Sequence, residues 1–167
     1  TNRFNNRIVN IDQYRNYGLE SRFITDYLIG EMKNTISTGI RLYTGNTHRL
    51  ADGKGTTGSD FDISIEGLYP RAIQFRSNNA ALFVENIFRV TQKLLIIPGF
   101  RYEWLEGSAA GSNGFDANGA LINLQNITRN RNFVLGGIGS EFHLTNTTEF
   151  YANFSQAYRP IQFANLQ

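Results

Sequence analysis

A few small groups of residues have the types and spacing to do chemistry. Gly53-Lys54-Gly55-Thr56-Thr57-Gly58 carries the glycines and lysine of a phosphate-cradling loop. The spacing ahead of the lysine is wrong and no helix follows, so the stretch reads as a mobile loop. Asp60, Asp62 and Glu66 offer hard oxygen donors for a cation, but without calcium-loop spacing they read as a solvated acidic loop. Glu141 and His143 lie two residues apart and would share one strand face. Two donors are too few for a metal, so they read as polar lining. Arg101 with Glu103, and Glu20 with Arg22, have the same spacing and read as charge networks. His48 reads as solvated at the base of a loop. No Ser/His/Asp set, acid/base carboxylate pair or nucleophile turn is present, so no enzymatic activity, cofactor or metal centre is expected.

The elements that must carry these residues are strands. Residues 79–104 read NAALFVENIFRVTQKLLIIPGFRYEW, two alternating segments joined at Val90-Thr91-Gln92-Lys93. Alternation at period two gives a strand two chemically different faces. Leu94, Ile96, Pro98, Phe100, Tyr102 and Trp104 share one face; Lys93, Leu95, Ile97, Gly99, Arg101 and Glu103 share the other. In the preceding strand Ala80, Leu82, Val84, Phe88 and Val90 are set against Ala81, Phe83, Glu85 and Arg89. Asn86 interrupts the apolar face, so it must lie near a membrane rim or bond to a neighbour. A run of roughly a dozen residues is about twice the length of an ordinary strand but suits a tilted strand crossing a bilayer.

In chain order, residues 1–13 are polar and read as the end of a loop. From about Tyr14 to Gly30, Tyr17, Leu19, Phe23, Tyr27 and Ile29 oppose Glu20, Arg22 and Asp26, with Ile24 and Leu28 on the charged side. A tight connection at Glu31-Met32-Lys33-Asn34 leads into Ile36, Thr38, Ile40, Leu42 and Thr44, which alternate with Ser37, Gly39, Arg41 and Tyr43. Residues 50–70 and 106–128 are rich in Gly, Ser, Asp, Asn and Ala and read as long loops, where function tends to sit. Residues 134–144 alternate again, and a short turn at residues 145–148 leads into Phe150, Ala152 and Phe154. About six antiparallel strands result, in an all-β chain whose connections alternate short and long. Membrane barrels place short turns on the periplasmic side and long loops outside. Tyr43, Tyr69, Phe75, Tyr102, Trp104 and Tyr158 would form part of the outer aromatic girdle or the loop bases.

Composition narrows the classes. The 167 residues include no cysteine, which excludes disulfides and thiolate metal sites. A net charge of +2, with no basic stripe, gives no sign of a nucleic-acid partner. No stretch is apolar for the length of a transmembrane helix. A negative mean hydropathy is compatible with a barrel, whose strands hide polar residues in the lumen.

Ala81-Leu82-Phe83-Val84-Glu85-Asn86, followed after a turn by Pro98-Gly99-Phe100-Arg101-Tyr102-Glu103, resembles the middle barrel of TonB-dependent outer-membrane receptors, in particular their ferric-citrate and siderophore branch. Tyr151-Ala152-Asn153-Phe154-Ser155-Gln156-Ala157-Tyr158-Arg159-Pro160 resembles that family's strand ending in Gly-Phe-Arg-x-Pro, with Ala157-Tyr158 in place of Gly-Phe and no spacer before Pro160. The resemblance implies that residues 1–167 are a partial barrel domain with no plug domain, from a bacterial outer-membrane transporter of ferric chelates. Its partners would be the ferric chelate, outer-membrane lipid, the plug and remaining barrel of the parent chain, and the TonB complex. Lumen charges such as Arg101 and Glu103 could also meet the plug. In such a receptor Arg71, Arg76, Arg129 and Arg131, which follow the two long loops, are the ligand-contact candidates, because outward-facing cations concentrate anions. The sequons at Asn126 and Asn146 carry no weight in a bacterial protein. Alone, such a piece would have open strand edges and is expected to self-associate. A general porin or adhesin barrel and a soluble ligand-carrying barrel are the alternatives.

Overall fold

A computed structural model describes residues 5–158. It contains six strands: β1 (Ile8–Ile29), β2 (Met32–Lys54), β3 (Arg71–Arg89), β4 (Leu94–Phe115), β5 (Leu121–Thr145) and β6 (Thr148–Ser155). They form one antiparallel sheet in the order β1-β2-β3-β4-β5-β6, so every strand pairs with its neighbour in sequence. The all-β, six-stranded expectation holds.

The short connections are built from local chemistry. Ile29 pairs with Met32, which leaves Gly30-Glu31 as a two-residue turn. Gly30 supplies the positive φ of 60° that such a turn needs. The connection is therefore shorter than the expected 31–34, and Met32 to Asn34 already belong to β2. At residues 90–93 the Thr91 hydroxyl oxygen accepts hydrogen bonds from the backbone N–H groups of Lys93 (3.1 Å) and Leu94 (3.0 Å). Thr145 does the same for the N–H of Thr147 (3.2 Å).

The strands run further than alternation alone predicts. β1 begins at Ile8, within the segment expected to be loop, and the second long connection shrinks to the residues between Phe115 and Leu121. The reason lies across the ladder. Residues 107–112 lack large side chains of their own, but Ala109 pairs with Phe75 and Gly111 with Ile73, so the bulk comes from β3. Ile73 and Phe75 are each 1% exposed and, with Ala109, Leu124 and Ile127, make the apolar cluster that holds this end of the sheet together. Gly111, at a register shift between β4 and β5, has φ 140° and lies so close to the Ala72 carbonyl that a Cβ would collide with it.

Register divides the sheet into two faces. One rung of the outer face runs Leu19, Leu42, Ala80, Trp104, Asn132. From the short turns up to this rung the outer face carries Phe23, Ile40, Leu82, Val84, Phe100, Val134, Ile138 and Phe154, all exposed. An apolar patch this size has no place in water. On β2 the band spans Met32 to Leu42, ten steps of about 3.3 Å, which at a tilt of about 40° rise roughly 25 Å, the height of the lipid-facing band of a membrane barrel. The next rung is polar: the Thr44 hydroxyl donates to the Asn78 side-chain oxygen (2.8 Å), whose amide donates to Glu106 (3.2 Å). Above it Asn46, His48, Gln74, Arg76 and Ser108 continue the same face. The strands therefore project well beyond the apolar band into water.

The aromatic expectation is met in part. Tyr102 and Trp104 do sit on the outer face at the top of the band, with Tyr17 one rung higher. Tyr43 and Phe75 point to the opposite face, because each is an odd number of residues from an outer-face residue of its own strand, Leu42 and Ala80 respectively, and Phe75 is core rather than girdle. Tyr69 packs over Gly53, and Tyr158 lies against Phe133 with ring centroids 4.0 Å apart.

Candidate functional site

The inner face carries the charge, in rungs. Arg22, Gly39, Phe83, Arg101 and Leu135 make one rung; Glu20, Arg41, Ala81, Glu103 and Phe133 make the next. Arg22 donates to Glu20 at 3.2 Å, and Arg101 forms an ion pair with Glu103. Glu103 also accepts from the Asn79 amide at 2.5 Å. Phe83 stands between the two arginines, 5.2 Å from the Arg22 guanidinium and 5.9 Å from that of Arg101, within reach of a cation–π attraction to each. Gly39 makes this possible: a Cβ there would strike the Phe83 ring and the Ser21 carbonyl. Arg22-Glu20 and Arg101-Glu103 are thus two ion pairs on one face, joined through Phe83, which alternation alone does not reveal.

The four candidate arginines do not act as one group. Arg71, Arg129 and Arg131 lie on the inner face, whereas Arg76, five residues from Arg71, faces outward. Arg71 is matched by Asp52, with both Nε and Nη2 at 2.5 Å from one carboxylate oxygen. Arg131 donates to the Tyr158 hydroxyl at 3.3 Å. Among the described residues Arg129 and Arg131 form no ion pair. They stand one and two rungs above Glu103, directly below the apolar cluster.

The segment at residues 55–70 is tied down rather than loose, and this corrects the reading of 53–58 as a mobile loop. Gly53 and Lys54 end β2, and Gly55 bridges to Ile65. The Gly55 N–H donates to the Arg7 carbonyl (2.8 Å) and the Arg7 N–H to that of Thr57 (3.0 Å). The three acidic residues go to separate partners. Asp60 pairs with Arg7, and Glu66 with Lys54 at 2.6 Å. Asp62 accepts from the Ser64 hydroxyl (2.6 Å) and N–H (3.0 Å) and from the Thr57 hydroxyl (2.9 Å). Those bonds, the Ser64 hydroxyl foremost, hold the Asp62 carboxyl below its ordinary range, and the Lys54 ammonium does the same for Glu66. His48 sits on the outer face above the apolar band, in a shallow polar cleft with Gln13, Tyr14, Arg15, Asn46 and Gln74.

Glu141 and His143 share the inner face beside the last short turn, 2.7 Å apart. Glu149 of β6, directly across the ladder from His143, joins them. A cross-strand donor cannot be read from one strand's spacing. Counting outward from the Thr145–Thr148 pair would set 149 against 144; a register shift between His143 and Thr145 brings it opposite His143 instead.

A sheet with a lipid-height apolar band on one face and rungs of charge on the other is a segment of membrane-barrel wall. Residues 1–167 match the TonB dependent receptor-like, beta-barrel family, and the chain belongs to it. Among solved structures the chain is similar to the ferric citrate transporter FecA in its unliganded form, with TM-score 0.77 and 20% identity over 94% of this chain and 22% of that one. It is also similar to the open form of the ferric-catecholate import receptor Fiu from E. coli K12, with TM-score 0.69 and 15% identity over 89% of this chain and 26% of that one. At these identities the likeness speaks to the fold. The chain spans about a quarter or less of the length of either structure. No curated protein matches it. Of the terminal sequence motif, Arg159 and Pro160 lie outside the described residues.

Proposed function

We propose that residues 1–167 are part of the barrel wall of an outer-membrane, TonB-dependent transporter of ferric chelates, whose plug and remaining strands belong to the same parent protein. The observation that carries this reading is the division of one sheet between a band of roughly 25 Å for lipid and a charged face for a wet lumen. The edges of β1 and β6, unpaired among the described residues, are where further strands of a closed barrel would add. Membership of the receptor family and the ferric chelates named for the two similar structures support the substrate class. In the parent receptor the TonB complex would act on the plug, and the Arg22–Phe83–Arg101 rung is wall against which a plug can rest.

For capture of an anionic chelate the geometry favours Arg129 and Arg131. Both face inward toward the end of the sheet that carries the long connections and form no ion pair with a carboxylate among the described residues, whereas Arg71 is neutralised by Asp52. Arg76 faces the other way and is a candidate only for a chelate approaching from outside the wall. In the complete receptor, Arg129→Gln with Arg131→Gln is expected to weaken ferric-chelate binding at least tenfold, Arg71→Gln less, and Arg76→Gln not at all. Unchanged affinity in the double variant would remove these arginines from the ligand site.

A further inference from the structure

We propose that Glu141, His143 and Glu149 form a binding site for a divalent transition-metal ion, with zinc the best match, on the inner face beside the turn at residues 145–148. One ligand atom from each residue lies within 4.8 Å of the others. Two strands hold the set in place: Glu141 and His143 follow one another on the inner face of β5, and Glu149 faces His143 from β6. The site lies ten residues along β5 from Arg131, at the opposite end of the sheet from the long connections, and it needs only a wet inner face, whatever chelate the barrel carries.

Charge supplies a second argument. Several other carboxylates on this sheet are matched by Lys or Arg: Asp12 by Arg49, Asp26 by Lys33, Asp52 by Arg71, Glu103 by Arg101; Glu106 is met by the Asn78 amide instead. Among the described residues Glu141 and Glu149 have no such partner and share only His143. Lys93 is close by, since the His143 N–H donates to its carbonyl, but its ammonium is directed to the Leu144 carbonyl at 3.5 Å. With the imidazole neutral, as a metal ligand must be, the two carboxylates bring a charge of about −2, which a divalent ion cancels. One imidazole nitrogen with two carboxylate oxygens suits zinc, and three protein ligands leave the fourth position to water. Magnesium and calcium prefer sites made of oxygen alone.

The geometry requires a small adjustment. His143 Nε2 is 2.7 Å from Glu141, whereas Nδ1 faces Glu149 at 3.7 Å. An ion takes one nitrogen, and ligand atoms around tetrahedral zinc stand roughly 3.4 Å apart. The Glu149 side chain, 58% exposed, is free to swing toward that nitrogen.

The test uses the complete receptor in detergent micelles, stripped with EDTA and titrated with Zn²⁺ by calorimetry. The expected result is one zinc per protein, with His143→Asn and Glu149→Gln each weakening binding at least tenfold while Arg76→Gln leaves it unchanged. Co²⁺ should give visible absorption that His143→Asn removes. Zinc should also shield His143 of the unmodified receptor from diethyl pyrocarbonate, a readout that does not depend on any variant folding. Absence of stoichiometric uptake, equal affinity in all variants, or no shielding of His143 would each overturn the proposal. Ferric-chelate binding is measured on the same samples, so a failed zinc site is distinguishable from a failed transporter reading.

Discussion

The Tyr27 hydroxyl donates to the Asn86 side-chain oxygen over 3.0 Å, reaching past β2 from the first strand to the third. Both residues lie on the outer face within the apolar band, close to the short turns. The bond is what makes an amide tolerable there, as the position of Asn86 in an otherwise apolar run requires. Its other atom, Nδ2, is buried without a hydrogen-bond partner.

That asymmetry predicts opposite effects for two conservative changes. Tyr27→Phe leaves the Asn86 oxygen buried and unpaired and should destabilise the receptor by about 1–3 kcal/mol. Asn86→Leu removes the amide altogether and should be close to neutral or stabilising. Urea unfolding of the receptor in lipid vesicles measures both, and equal losses would contradict the account.

The apolar band predicts a dependence on depth. Val84→Arg places a charge on the outer face in mid-band and should cost about 2–4 kcal/mol in a bilayer, whereas Gln74→Arg, on the same face above the polar rung, should cost about 0–1 kcal/mol. Folding titrations in vesicles distinguish the two, and a similar cost at both positions would place the band elsewhere.

The Asp62 hydrogen bonds predict how the segment at residues 55–70 responds to acid. The folded carboxyl titrates below the unfolded one, so its contribution is complete above the ordinary Asp pKa of about 3.9 and is lost as pH falls through the lower folded value. Protection of this segment from proteolysis or hydrogen exchange should hold from neutral pH down to about 4 and fail below. Asp62→Asn should loosen it already at pH 7 and flatten the pH dependence.

Much of this structure is legible in the sequence, and the lower half of the sheet most of all. There each strand alternates because lipid and lumen chemistry differ, so Leu94 to Trp104 declare their faces by composition. The upper half obeys another rule. Residues 107–112 are small where Phe75 and Ile73 of the neighbouring strand fill their space, a relation between strands that leaves no period within either. The same limit explains the site residues. Glu20-Arg22 and Arg101-Glu103 are i, i+2 pairs and visible to inspection, whereas the seat of Phe83 over Gly39 and the approach of Glu149 to His143 exist only through register. Arg71 and Arg76 look alike beside one loop, yet an odd separation sends them to opposite faces.

Spin labels placed singly along residues 94–104 of the complete receptor in lipid vesicles test the two-faced wall most directly. Labels at 94, 96, 100, 102 and 104 should collide chiefly with oxygen dissolved in the bilayer, and labels at 95, 97, 99, 101 and 103 with a water-soluble nickel chelate. Accessibility that fails to alternate, or that alternates in the opposite phase, would contradict the assignment of lipid to one face and a wet lumen to the other.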